Sequence, residues 1–142
     1  MIPFLDIKSL NAQYEKKLLK ACSNVINSGW YVRGNECNNF EKEFSKYCGT
    51  KYTIGVANGL DALFLILKAY KELKIIKDGD QVIVPSNTYI ASILAIFQNN
   101  LVPVLVEPDI DTYLINPSKI VQKITKKTKV IMPVHLYGQT CE

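Results

Sequence analysis

GVANGLDALFLILKA, residues 55–69, decides the fold. An extended run from Tyr52 closes at Val56, Asn58-Gly59 reads as a tight turn, and a helix is expected to start near Leu60. That helix is apolar almost all round, with Leu63, Phe64, Leu65, Ile66 and Leu67 in succession. Burying five such side chains is worth on the order of 10 kcal/mol at roughly 1.5–3 each, so the helix is expected inside a layered domain. Its first turn also suits an anion, because a helix start leaves backbone N–H groups unpaired at the positive end of the dipole. Gly59 lacks a Cβ and lets a ligand approach the backbone. The same residues also read as an N-cap, Asn58, and a turn glycine with no ligand at all.

Downstream, Lys77-Asp78-Gly79-Asp80 reads as a turn and Gln81 to Val84 as a short strand closed by Pro85. Ser86-Asn87-Thr88-Tyr89 opens a helix reaching about Asn99, and Leu101 to Val106 is the next strand, with Pro103 at its margin. Asn116-Pro117 starts a helix to about Ile124, and Lys129 to Val134 is a last strand, followed by His135-Leu136-Tyr137. Upstream, residues 1–9 read as irregular. Leu10, Tyr14, Leu18, Cys22 and Ile26 draw one stripe on a helix ended by Ser28-Gly29. Trp30 to Gly34 forms an aromatic-basic loop that either packs on the domain or lines a site. Glu36 to Tyr47 is a second amphipathic helix with Phe40, Phe44 and Tyr47 on one face.

Strand and helix alternate from Lys51 onward, which argues for an α/β domain with a mostly parallel sheet flanked by helices. Ligands of such sheets gather beyond the carboxyl ends of the strands. Asn58-Gly59-Leu60, Ser86 to Tyr89 and His135-Leu136-Tyr137 all fall there. A phosphate at the first and an aromatic face at the second would suit a flat, phosphorylated cofactor.

The 142 residues are enough for one ordinary domain with a core. With 48% hydrophobic and 21% charged residues the composition is globular, not disordered. The net charge of +4 comes largely from Lys123, Lys126, Lys127 and Lys129. No aromatic side chains are interleaved there, so a solvated helix end is expected and not a nucleic-acid surface. Cys22, Cys37, Cys48 and Cys141 form no CxxC pair, and His135 is the only histidine, so no metal site is expected. MIPFLDIKS lacks the features of a signal peptide, and free thiols in a reducing cytoplasm are expected. Gln81 to Val106 carries no charged side chain, but Pro85, Asn87, Gln98, Asn99, Asn100 and Pro103 interrupt it. It reads as a buried strand–helix–strand and not as a membrane span.

Five pieces, in order, carry a resemblance: SGWYVRG (28–34), FEKEFSKYCGTKYTIGVANGLDAL (40–63), DGDQVIVPSNTYIAS (78–92), PVLVEPDIDTY (103–113) and PVHLYGQ (133–139). The chain resembles the N-terminal part of the DegT/DnrJ/EryC1/StrS aminotransferases, pyridoxal 5'-phosphate (PLP) enzymes of fold type I. Within them it looks most like enzymes that aminate a 3-keto-6-deoxyhexose carried on dTDP.

The resemblance implies a partial fold-type-I large domain over residues 1–142 and a homodimeric, cytoplasmic parent. It implies PLP as cofactor, glutamate and a nucleotide-linked keto sugar as substrates, and a role in lipopolysaccharide, O-antigen or related glycan biosynthesis. Backbone amides at Gly59 and Leu60 would hold the phosphate, Tyr89 would stack on the pyridine ring, and Thr88 would help position that turn. Tyr31, His135 and Tyr137 would lie near the substrate, with Trp30 in a loop by the site or the dimer interface. For His135 and Tyr137 a packed strand end is the competing expectation. Leu60 departs from the hydroxyl residue that many members carry, and Asp61 must point its carboxylate away from a phosphate.

Members continue to an Asp that pairs with the pyridine nitrogen and a Lys that anchors the cofactor, and neither has a match before Glu142. No catalytic residue is therefore assigned in this chain, which is expected to be a fragment inactive by itself. Two other functions stay open: a PLP-dependent sugar dehydratase of the same family, and a non-catalytic binding or oligomerisation module. A dinucleotide-binding dehydrogenase is not expected, because GVANGL lacks the spacing of GxGxxG.

Overall fold

A computed structural model describes residues 3–142, in two units divided between Gly55 and Val56. The first unit is helical. Helix α1 (Ile7–Ala12) begins inside the stretch expected to be irregular, because the Asp6 carboxylate accepts from the Ser9 amide at 2.9 Å and caps it. The single helix expected from Leu10 to Asn27 is interrupted. The Tyr14 amide donates to the carbonyl of Asn11, three residues back, and Tyr14 becomes the N-cap of α2 (Glu15–Ser28). Gly29 ends α2 in the left-handed conformation, φ 65°.

Helix α3 (Asn35–Cys48) presents the expected aromatic face, with the Phe40 and Phe44 rings stacked 5.4 Å apart. The loop between α2 and α3 folds back on itself. A Cβ on Gly34 would sit 2.8 Å from the Trp30 carbonyl oxygen, so only glycine fits there. No residue of α1, α2 or α3 is buried, and the stripe from Leu10 to Ile26 lies open.

The strand expected from Tyr52 to Val56 does not form: its residues pair with no strand among the described residues, and Tyr52 and Ile54 are exposed. A ladder needs a neighbour to take its N–H and C=O groups. Among the described residues side chains serve instead: the Glu41 carboxylate accepts from the Gly55 amide at 2.7 Å, and Thr50 Oγ1 donates to the Tyr52 carbonyl at 3.2 Å.

The second unit is the layered α/β domain. It runs α4 (Gly59–Glu72), β1 (Gln81–Pro85), α5 (Ile90–Gln98), β2 (Val102–Val106), α6 (Pro117–Lys123) and β3 (Thr128–Ile131), then a 3-10 turn at Leu136–Gly138. The three strands are parallel in the order β2-β1-β3, as the alternation of elements requires. Pro103 lies within β2, opposite Val82, and β2 is an edge where a proline is tolerated. β3 ends three residues earlier than expected, although the Met132 amide still donates to the Ile83 carbonyl of β1 at 2.8 Å.

Central strand β1 buries both faces, and successive side chains point to opposite sides. Val82 and Val84 join Leu67, Ile76, Ala95, Ile96 and Leu101, the core under α4 and α5. Ile83 turns the other way and packs with Val106 and Ile115.

Helix α4 is not buried all round. Of its apolar run only Leu67 is fully enclosed, while Leu65 and Ile66 are about half exposed. One face meets α5 and the core; nothing among the described residues covers the other. Asn99, itself buried, ties α4 to α5 by donating through Nδ2 to the carbonyls of Phe64 (3.1 Å) and Ala95 (2.9 Å). Lys71 on α4 donates to the Asn99 carbonyl at 2.9 Å and pairs with Asp78. These contacts hold the middle and C-terminal end of α4 to α5 and to the turn before β1. No helix is long and apolar enough to cross a membrane among the described residues.

Candidate functional site

A groove of about 890 Å³ opens beyond the carboxyl ends of the strands in the second unit. Three stretches distant in sequence line it: Asn58 to Leu63 at the start of α4, Thr88 to Leu94 at the start of α5, and Val134 with Leu136 after β3. These are the three segments that the position of ligands in parallel sheets singles out.

The α4 start is built by Asn58. Its Oδ1 accepts from the Asp61 amide at 2.9 Å, its Nδ2 donates to Asp61 Oδ2 at 3.1 Å, and its carbonyl accepts from Ala62 at 3.1 Å. The amides of Gly59 and Leu60 are left with no acceptor among the described residues. They sit at the positive end of a 14-residue helix and at the groove wall. A Cβ added to Gly59 would meet nothing within 4 Å, so the space over these amides is open. This end fits a phosphate. The Asp61 carboxylate is held by the Asn58 side chain, and Asp61 is not part of the lining.

The α5 start supplies the facing wall. Tyr89 is its N-cap, in an extended conformation with φ −66° and ψ 141°, and the residue is 77% exposed and lines the groove. Thr88 Oγ1 lies 3.0 Å from the hydroxyl of buried Ser92 and donates to the Tyr89 carbonyl at 3.4 Å. The remaining lining is apolar: Leu60, Ala62, Leu63, Ile90, Ala91, Leu94, Val134 and Leu136. Among the described residues no carboxylate, imidazole or amine lines the groove. An apolar lining beside open amides can hold a flat, phosphorylated ring.

Gly59, Leu60, Thr88 and Tyr89, read from the sequence as cofactor contacts, are thus brought together. His135 and Tyr137 are not part of this lining; Leu136 between them is. His135 Nδ1 accepts from the Cys141 amide at 3.0 Å and tethers the following segment. Tyr137 is 86% exposed in the left-handed conformation, φ 60°. Tyr31 belongs to the first unit, where its hydroxyl donates to the Ile26 carbonyl at 3.3 Å.

Sequence reasoning gave no role to Ser92 or Leu94, and named Leu136 only as part of the segment after the last strand. The signal for Ser92 was present: Ser92 and Thr88 are four apart, one helical turn.

Residues 12–142 match the DegT/DnrJ/EryC1/StrS aminotransferase family. The chain is 61% identical, over its whole length, to a dTDP-3-amino-3,6-dideoxy-alpha-D-galactopyranose transaminase of Aneurinibacillus thermoaerophilus, and covers 38% of that relative. Among solved structures it is similar to DesV of S. venezuelae (TM-score 0.88, 42% identity, covering 99% of this chain and 37% of that one). It is also similar to NtdA of Bacillus subtilis, solved with bound cofactor PMP (TM-score 0.88, 33% identity, covering 99% and 32%). The chain therefore spans about a third of the length of the relatives it matches.

Proposed function

Because this chain belongs to the DegT/DnrJ/EryC1/StrS aminotransferase family, we propose that it supplies the phosphate-binding and ring-stacking part of a PLP site. The whole protein would transfer an amino group from glutamate to a keto sugar carried on a nucleotide. The resemblance to the galactopyranose transaminase favours a dTDP-linked 3-keto-6-deoxyhexose. The single observation that carries the proposal is the pair of unpartnered amides at Gly59 and Leu60, facing an apolar groove walled by Tyr89.

When bound, PLP supplies an electron sink and a carrier for the amino group. The Gly59 and Leu60 N–H groups donate to the phosphate oxygens, and the α4 dipole adds a favourable field. The Tyr89 ring offers a flat face against the cofactor ring, an arrangement worth about 0.5–1.5 kcal/mol beyond area burial. Leu63, Leu94 and Leu136 supply apolar lining beside it. Leu60 brings only its amide to the phosphate, with no side-chain hydroxyl. Tyr31, His135 and Tyr137 are proposed as substrate contacts in the whole enzyme, together with a homodimeric assembly, a cytoplasmic location and a place in lipopolysaccharide or related glycan synthesis.

The test is to incubate the full-length protein with PLP, glutamate and a dTDP-linked 3-keto-6-deoxyhexose. Formation of 2-oxoglutarate and the amino sugar is expected; neither product from any nucleotide-linked keto sugar would overturn the proposal.

A further inference from the structure

Ser92 is 6% exposed and lies in the groove wall on the first turn of α5. Its amide donates to the Tyr89 carbonyl at 3.1 Å. Its hydroxyl is 3.0 Å from Thr88 Oγ1, which in turn lies 3.4 Å from that same Tyr89 carbonyl oxygen. The hydrogens follow from what each group can reach. The Thr88 hydroxyl has two acceptors, Ser92 Oγ and the Tyr89 carbonyl, whereas the Ser92 hydroxyl has only Thr88 Oγ1 among the described residues. A buried hydroxyl without an acceptor is costly. The arrangement that satisfies both has Ser92 donating to Thr88 and Thr88 donating to the Tyr89 carbonyl. Three hydrogen bonds then close a ring around the Tyr89 peptide, at an N-cap whose own side chain cannot cap. The Tyr89 hydroxyl has no hydrogen-bond partner among the described residues, so the ring's place is set from its backbone.

We infer that Ser92 is a positioning residue: acting through Thr88, it fixes the Tyr89 peptide and so the direction from which the aromatic ring faces a ligand in the groove. The inference rests on the reading of the groove as a cofactor site.

The test uses PMP as probe, because its amine cannot condense with surface lysines, and calorimetric titration of the full chain. Ser92→Ala and Thr88→Val are each expected to weaken PMP binding roughly 3- to 10-fold, the effect of one hydrogen bond. The double variant should weaken it no further than the worse single one, since both substitutions break the same path. Thr88→Ser, which keeps the hydroxyl, should bind within about twofold of the wild type. Single variants that bind as the wild type does, or losses that multiply in the double variant, would overturn the inference. If the wild type itself fails to bind PMP, the cofactor reading falls. The ring is then judged without ligand, by hydrogen exchange at the Ser92 amide. Exchange several-fold faster in Thr88→Val supports the ring, and unchanged exchange refutes it.

Discussion

Asn58 and Asp61 cap each other: Asn58 Oδ1 accepts from the Asp61 amide at 2.9 Å, and Asp61 Oδ2 accepts from Asn58 Nδ2 at 3.1 Å. The exchange satisfies one helix donor and engages the nearest carboxylate, while the Gly59 and Leu60 amides stay available. Asn58→Ala should therefore destabilise the second unit by about 1 kcal/mol, read as a lower urea midpoint. Asn58→Asp should keep an oxygen at the cap but set a second carboxylate against Asp61 where Nδ2 now donates, so the midpoint should also fall, and the added charge beside the phosphate should weaken PMP binding about two- to fivefold.

Gly59 offers a substitution that separates folding from binding. An added Cβ there meets no atom within 4 Å and the residue needs no left-handed backbone, so Gly59→Ala should fold at least as stably as the wild type, by about 0.5–1 kcal/mol. The methyl would occupy space over the phosphate-facing amides. Calorimetry should show weaker PMP binding with an unchanged or higher Tm.

Tyr89 is expected to matter to the ligand and not to the fold. The residue is 77% exposed, so Tyr89→Ala should leave the denaturation midpoint nearly unchanged. Loss of the stacking face should cost roughly 0.5–1.5 kcal/mol of PMP affinity. Tyr89→Phe, which keeps the face, should bind as the wild type does.

Acid should loosen the C-terminal end of α4. Lys71, paired with Asp78, and Asn100, donating to it at 3.2 Å, hold the Asp78 carboxyl below its ordinary value. A carboxyl depressed in the folded state stabilises above its unfolded pKa, about 3.9. That contribution fades as the pH falls through the lower folded value. Melting curves between neutral pH and about 3 should show a steeper acid loss for the wild type than for Asp78→Asn.

Much of the second unit was legible because its signals are local. The alternation of Val82, Ile83 and Val84, the Gly79 turn and the Asn116-Pro117 start each act within a few residues. The groove was legible for a related reason: in a parallel sheet the segment after each strand must emerge at the same edge. What failed was whatever depends on a distant partner. Among the described residues, Tyr52 to Val56 has the composition of a strand but no strand to pair with, and Leu65 and Ile66 have the apolarity of a core but nothing to cover them. Periodicity also ran Leu10 to Asn27 together as one helix, since Tyr14 fits the stripe even though its amide turns to Asn11. At the site, position after the last strand singled out His135-Leu136-Tyr137 together, and the resemblance pointed to His135 and Tyr137 within it; of the three, Leu136 lines the groove.

The most direct measurement is a PMP titration of the isotopically labelled chain followed by backbone NMR. Saturable shifts concentrated at the Gly59 and Leu60 amides, with changes at Tyr89, are the predicted result. Absence of saturation, or shifts that spare both amides, would contradict the assignment of this groove as the phosphate end of a PLP site.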